Sequence, residues 1–204
     1  MKKLLTGLWV LALGACSLGP AQKDGPAVYD FGFAAGKPAG AVKMRASFLL
    51  HNVAAPPWLD TSNIVYRLGY QDGARHAVYT ASRWAASPAA LLSARLRSEL
   101  AQASQGGVIS AGDGVRTDYT LRVELDDFSQ IFDSASASRG VIVARASIVD
   151  VSRRSLQAQK QFTIERPAVT PDAEGGVRAL SAASDELVAA VVAWTAANIA
   201  GESK

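Results

Sequence analysis

Cysteine is almost absent from this sequence and histidine nearly so: Cys16, His51 and His76 are the whole supply. A single thiol leaves no internal disulfide. A metal centre needs three or four donors gathered in one place, and two separated histidines with no second cysteine do not provide them. No Gly-x-Ser-x-Gly elbow is present, so a Ser-His-Asp hydrolase lacks its strained turn. Gly112-Asp113-Gly114 comes nearest to a phosphate-cradling loop, but without the following Lys-Ser/Thr or the full Gly-x-Gly-x-x-Gly pattern it reads as a turn. Both histidines fall in strand patterns and read as ordinary strand residues. Glu124, Asp126 and Asp127 are the closest thing to a catalytic carboxylate pair, yet alternation sends Glu124 and Asp126 outward into solvent. The reading is therefore of a non-enzyme with no metal and no cofactor. An excess of one charge is missing too: 21 Lys and Arg face 18 Asp and Glu, far from the concentrated basic face that nucleic acid requires. The N-terminal apolar run, Leu4 to Leu13, has 10 residues, about half of what a permanent membrane span needs.

What flanks that short run is informative. Lys2 and Lys3 precede it, and Leu13-Gly14-Ala15-Cys16 closes it. A charged start and a short apolar core belong to a secretory signal. The ending resembles a bacterial lipobox. That resemblance implies a diacylglyceryl group on the Cys16 sulfur, cleavage between Ala15 and Cys16, and acylation of the new amine, with palmitate as the acyl group. Each buried methylene contributes about 0.8 kcal/mol, so several acyl chains make a permanent anchor. Ser17 stands where an Asp would favour inner-membrane retention in enterobacterial-type sorting, so the address it implies is the outer membrane. Cleavage removes two of the 21 basic residues, leaving a net charge near +1 and 189 of the 204 residues. That is enough for one domain with a real core.

Three regions are expected: a signal over residues 1–15, a tether over 16–27 and one domain over 28–204. The tether is rich in Gly and Pro and keeps no apolar period. Extended, it reaches about 36 Å at about 3.3 Å per residue. Beyond it, Val28 to Phe33 is a short aromatic strand. Met44, Ala46, Phe48 and Leu50 alternate, as do Ile64, Tyr66, Leu68 and Tyr70. Asp72-Gly73 then turns the chain into a returning strand from His76 to Trp84. Ser87-Pro88 opens a helix, with Ser as N-cap and Pro at the first position. Leu92, Leu96 and Leu100 mark its apolar side, and Gly106-Gly107 stops it. Three strands follow: one from Tyr119, with a bulge at Asp126-Asp127; a central one over Val141 to Val151; and one from Leu156 to Ile164. Lys160 alone spoils the apolar side of the last strand and snorkels at an edge. Thr170-Pro171-Asp172 starts the final helix, whose first turn Gly175-Gly176 weakens. Leu180, Leu187, Val188, Val191 and Trp194 form its stripe. This order gives an α+β fold: an antiparallel or mixed sheet with two amphipathic helices on one face.

Two segments are candidates for contact with a partner. Pro56-Pro57-Trp58-Leu59-Asp60 puts Trp58 and Leu59 on a stiffened loop. They either anchor another protein or fold back onto the sheet. Arg83-Trp84 ends a strand just before the first helix, and Trp84 either packs there or meets a partner. The helix-free face of the sheet is the more polar one and is open to another protein or an acyl chain.

The ordered set of these pieces resembles the ABC-type transport auxiliary lipoproteins, the PqiC-like group. Val28-Tyr29-Asp30-Phe31 follows the lipobox, and Trp58-Leu59-Asp60 precedes Ile64-Val65-Tyr66-Arg67. Trp84 precedes Pro88, and Leu121-Arg122-Val123-Glu124-Leu125 comes with Phe128. The strand pair from Ala144 to Phe162 and the helix bearing Ala193-Trp194 complete the match, which adds Arg67 to the candidate partner-binding residues. The resemblance implies a periplasm-facing outer-membrane lipoprotein that works with an MCE-domain protein, an ABC permease and a separate ATPase to move lipids or other hydrophobic molecules across the envelope. It also implies a docking role, with a homo-oligomeric ring as one form, and carries no catalytic residue. The alternative is a periplasmic lipoprotein that carries a lipid itself, which requires an apolar cavity between sheet and helices.

Overall fold

The computed structural model describes residues 25–33, 43–110 and 112–199. The signal, Ala15, Cys16 and most of the tether lie outside the described residues, as does the whole Gly/Pro-rich stretch from residue 36 to 41. The elements run β1 (Ala27–Tyr29), β2 (Phe48–Leu50), β3 (Asn63–Leu68), β4 (His76–Trp84), α1 (Pro88–Ala103), β5 (Val108–Ser110), β6 (Tyr119–Ser134), β7 (Ala137–Asp150), β8 (Ser155–Pro167) and α2 (Ala173–Ile199).

β6 organises the sheet. Along one edge it pairs antiparallel with β7, which pairs antiparallel with β8. Its other edge is divided. Tyr119–Leu121 take β2 in parallel, and β2 carries β5. Gln130–Phe132 take β3 in parallel, followed by antiparallel β4 and parallel β1. Between the two branches the chain hugs β6 through Ala54, whose N–H donates to the Val123 carbonyl and whose carbonyl accepts from Leu125 N–H. The sheet is mixed, and both helices lie on one face, as the α+β expectation requires.

Alternation decides which face is covered. Leu121, Val123, Leu125 and, after a register shift at Asp127, Phe128 point to the helices, opposite Ile148, Ala146, Ala144 and Ile142 of β7. The shift is the bulge expected at Asp126-Asp127, and it keeps Phe128 in the core. α2 lays Leu180, Ala183, Leu187 and Val191 on this surface. Each large aliphatic side chain buried there contributes about 1.5–3 kcal/mol. By length and composition α2 could cross a membrane, but half of its most apolar window is buried against the rest of the protein. It is the core helix of this sandwich. α1 buries Leu92, Leu96 and Leu100, and Arg95 clips it to α2 through Asp185 at 3.4 Å.

Several boundaries differ from expectation. The first strand stops at Tyr29, and Phe31 beyond it folds into the core. The second is regular only over Phe48–Leu50, where β5 and β6 flank it. His51 lies just past that strand, its N–H reaching the Leu121 carbonyl at 3.4 Å. β5 was not foreseen, because three residues are too few to show a period. α2 includes the two glycines: Asp172 caps it by accepting from Gly175 N–H at 2.8 Å, and both glycines are buried. A Cβ on Gly176 would sit 2.1 Å from the Gln130 side-chain oxygen. Close packing, rather than a frayed turn, explains that glycine. Lys160 does snorkel on edge strand β8, its ammonium 5.0 Å from the Phe162 ring centre.

Candidate functional site

The loop after β2 decides where two of the four candidate residues go. Leu59 and Asp60 both donate their N–H to the Pro56 carbonyl, so the chain turns tightly at the two prolines. This turn drives Leu59 into the core at 1% exposure and leaves Trp58 over the helix-free face. There β3 and β4 place Arg67 opposite His76. The indole stacks on the His76 ring, with centres 4.9 Å apart and planes 8° apart. The Arg67 guanidinium carbon lies 5.3 Å from the indole centre. Trp58 therefore folds back onto the sheet and covers a cross-strand pair.

Arg67 is also held from below. Its Nη2 lies 3.3 Å from Asp127 Oδ2, and its Nη1 donates to the Gly73 carbonyl at 3.3 Å. The other Asp127 oxygen accepts from Ser129 Oγ at 2.8 Å. The bulge that keeps Phe128 inside thus turns Asp127 out to meet Arg67. Arg67 Nε is buried and has no hydrogen-bond partner. The cluster is a clamped cation under an aromatic lid. Outward-facing charges continue across the same face: Arg145 lies 3.5 Å from both Glu124 and Asp126, and Arg139 pairs with Asp133 and Glu165. This lattice presents paired charges to solvent and brings no nucleophile to a base. Among the described residues no three His, Cys, Asp or Glu side chains converge to hold a metal.

Trp84 belongs elsewhere. It is 1% exposed and packs edge-on to Phe31 and Phe128 at 5.5 and 5.8 Å. Its indole N–H has no acceptor, a burial that costs about 1–3 kcal/mol. Trp84 and Leu59 are thus core residues, and only Trp58 and Arg67 of the four candidates meet on an accessible face. Sequence reading missed Asp127 and His76 as their companions. A second polar group lies on the helix side, where buried Gln130 accepts from the Tyr79 hydroxyl at 2.9 Å and donates to Ser138 Oγ at 2.8 Å. Burial, then the neighbouring Tyr66 and Asp172, push the Tyr79 hydroxyl up to about 12.

Two helices cap one face of the mixed sheet, and the opposite face carries the paired charges and the Trp58–Arg67 cluster. The chain belongs to the family of ABC-type transport auxiliary lipoprotein components, whose family model matches residues 29–192. The family is defined by transport and by a lipid anchor at the cell envelope, and a transporter is the partner it implies. The fold is also that of a Xanthomonas campestris protein, with 18% identity, 88% of this chain and 96% of that one covered, and a TM-score of 0.72. A hypothetical protein from Chlamydia trachomatis is similar at 10% identity, with 76% and 99% covered and a TM-score of 0.53. No curated protein matches the sequence.

Proposed function

We propose that this chain is the non-enzymatic lipoprotein subunit of an MCE/ABC-type envelope transport system. It docks the assembly at the outer membrane for movement of lipids or other hydrophobic molecules between membranes. Residues 1–15 are the signal, Cys16 carries the lipid, residues 16–27 are the tether, and residues 28–204 form the domain facing the periplasm. The family match over residues 29–192 carries this reading. Two features support it. The Leu13-Gly14-Ala15-Cys16 ending gives the chain a means of anchoring. The helix-free face offers paired charges and the Trp58–Arg67 cluster to a partner, either the MCE-domain protein or a second copy of this chain.

Carriage of a lipid inside this subunit is the weaker reading. It needs space between sheet and helices, and Leu180, Leu187, Leu121 and Ile148 fill that layer with at most 2% exposure each.

The test is affinity capture of the full-length lipoprotein from detergent-solubilised envelopes of its own bacterium, with intact-mass measurement of the captured protein. The expected result is co-purification of an MCE-domain protein, on a chain that begins at an acylated Cys16. Capture of this chain with no MCE-domain protein, while the MCE protein stays in complex with its permease in the unbound fraction, would refute the docking role. An unacylated chain beginning elsewhere would remove the outer-membrane address.

A further inference from the structure

A second opening shares no lining residue with the Trp58–Arg67 cluster. It is a groove of about 700 Å³, within the 300–1,000 Å³ range of ligand sites. Its parts come from the start of β6, the β7–β8 turn, the end of α2 and the segment entering β2. Met44, Tyr119, Ala196 and Ile199 form the buried floor, each at 9% exposure or less. Lys43, Arg45, Arg116 and Arg153 form an exposed rim.

The charge balance of this rim is unequal. Two carboxylates also line the groove, and both are engaged by neighbouring backbone and side-chain donors. Asp118 Oδ2 accepts from the Ser47 N–H and hydroxyl at 2.7 Å each. Asp150 Oδ1 accepts from Ser152 Oγ at 2.7 Å and Arg153 N–H at 2.8 Å, and its Oδ2 lies 3.5 Å from the Arg153 guanidinium. These backbone and hydroxyl donors hold both carboxyls below the usual carboxylate range. The end of α2 adds roughly half a negative charge. Four cations still exceed that sum, and no ion pair among the described residues engages Lys43, Arg45 or Arg116. Solvated cations above a buried apolar floor match a molecule with an anionic head and a hydrocarbon body. An acidic protein segment would use the rim but leave the floor unused.

We infer that this groove binds the headgroup and upper acyl region of an anionic glycerophospholipid from the membrane leaflet. The phosphate lies among Arg45, Arg116 and Lys43, and the chains lie against Met44 and Ile199. This site stands on the groove alone and is independent of any docking to a transporter.

Native mass spectrometry of the full-length protein, released from a nonionic detergent, tests it. Phosphatidylglycerol and phosphatidylcholine with identical acyl chains are the probes. The wild type is expected to retain one phosphatidylglycerol with a preference on the order of tenfold over phosphatidylcholine, as cations near a lipid surface provide. Arg45→Ser with Arg116→Ser removes that preference. Arg75→Ser with Arg122→Ser, the same loss of charge at exposed positions elsewhere, preserves it. Unchanged circular dichroism and Tm establish that each variant is folded. Equal retention of the two lipids, or equal loss in both double variants, overturns the site. Displacement of the lipid by inorganic phosphate or by a polyglutamate peptide at matched concentration also overturns it, in favour of a plain phosphate pocket or an acidic protein segment.

Discussion

Trp58 and Arg67 illustrate how little a residue's identity says about its partners. An exposed arginine on a strand has low intrinsic worth, since surface ion pairs contribute about 0–1 kcal/mol. Here the guanidinium is pinned by Asp127 and Gly73 and roofed by an indole, so its freedom is already spent. A cation over an aromatic face contributes about 0.5–1 kcal/mol at an exposed site and more when desolvated. A double-mutant cycle on Trp58→Ala and Arg67→Ala should therefore show a coupling of about 0.5–1 kcal/mol, read from urea midpoints at constant m. Additive effects would mean that the indole covers Arg67 without holding it. Both residues stood out in the sequence, but their meeting did not. The turn at Pro56 is local, but the meeting also depends on the β3–β4 register, which nothing within two or three residues of Trp58 encodes. Leu59 and Trp84 were equally visible. Their burial follows from which way the turn throws alternate side chains, which composition does not reveal.

At the scale of elements, capping and periodicity were legible and close packing was not. Ser87 caps its helix as read, and Asp172 caps the other within the expected start signal, because an N-cap is a local contract between a side chain and the next turn. The bulge at Asp127 was visible as a break in alternation. The value of small residues was hidden, since it lies in the approach of distant elements. Gly140 on β7 shows this: a Cβ there would meet the α2 backbone, with Leu180 N at 2.9 Å and Ala179 C at 3.0 Å. Backbone has nowhere to rotate, so the helix itself must lift from the sheet. Gly140→Ala should destabilise by about 1–3 kcal/mol, the range for overpacking a filled core. Gly73 in the β3–β4 turn has nothing within 4 Å of its own Cβ position and no positive φ. Gly73→Ala should be neutral or stabilise by about 0.4–1 kcal/mol through the unfolded chain. Thermal unfolding of the two variants side by side checks both signs, and a Gly140→Ala protein as stable as wild type would show that α2 rides loosely on β7.

For the whole molecule, the feature that no local pattern foretold is the divided edge of β6. Strand existence was readable because alternation is local. Which strand lies beside which was not, because β2 and β3 find β6 across more than 60 residues of sequence. The division has a consequence for stability across the fold. β7 is paired along both edges and covered by α2, so its amides open only when the sheet, the helix and the core come apart together. β5 is three residues long, half-buried throughout and, among the described residues, paired only to β2. β1 is equally short and, among the described residues, pairs only with β4. Short strands paired on one side open by local fluctuation, whereas doubly paired, covered strands report global unfolding. Native-state hydrogen exchange should therefore rank β7 and the β7-facing amides of β6 slowest, β8 and β3 between, and β1 and β5 fastest. The slowest class should match the global unfolding free energy from denaturant. If β5 were protected to the same degree as β7, the two branches would be one cooperative unit with β6, and the division of its edge would carry no energetic meaning.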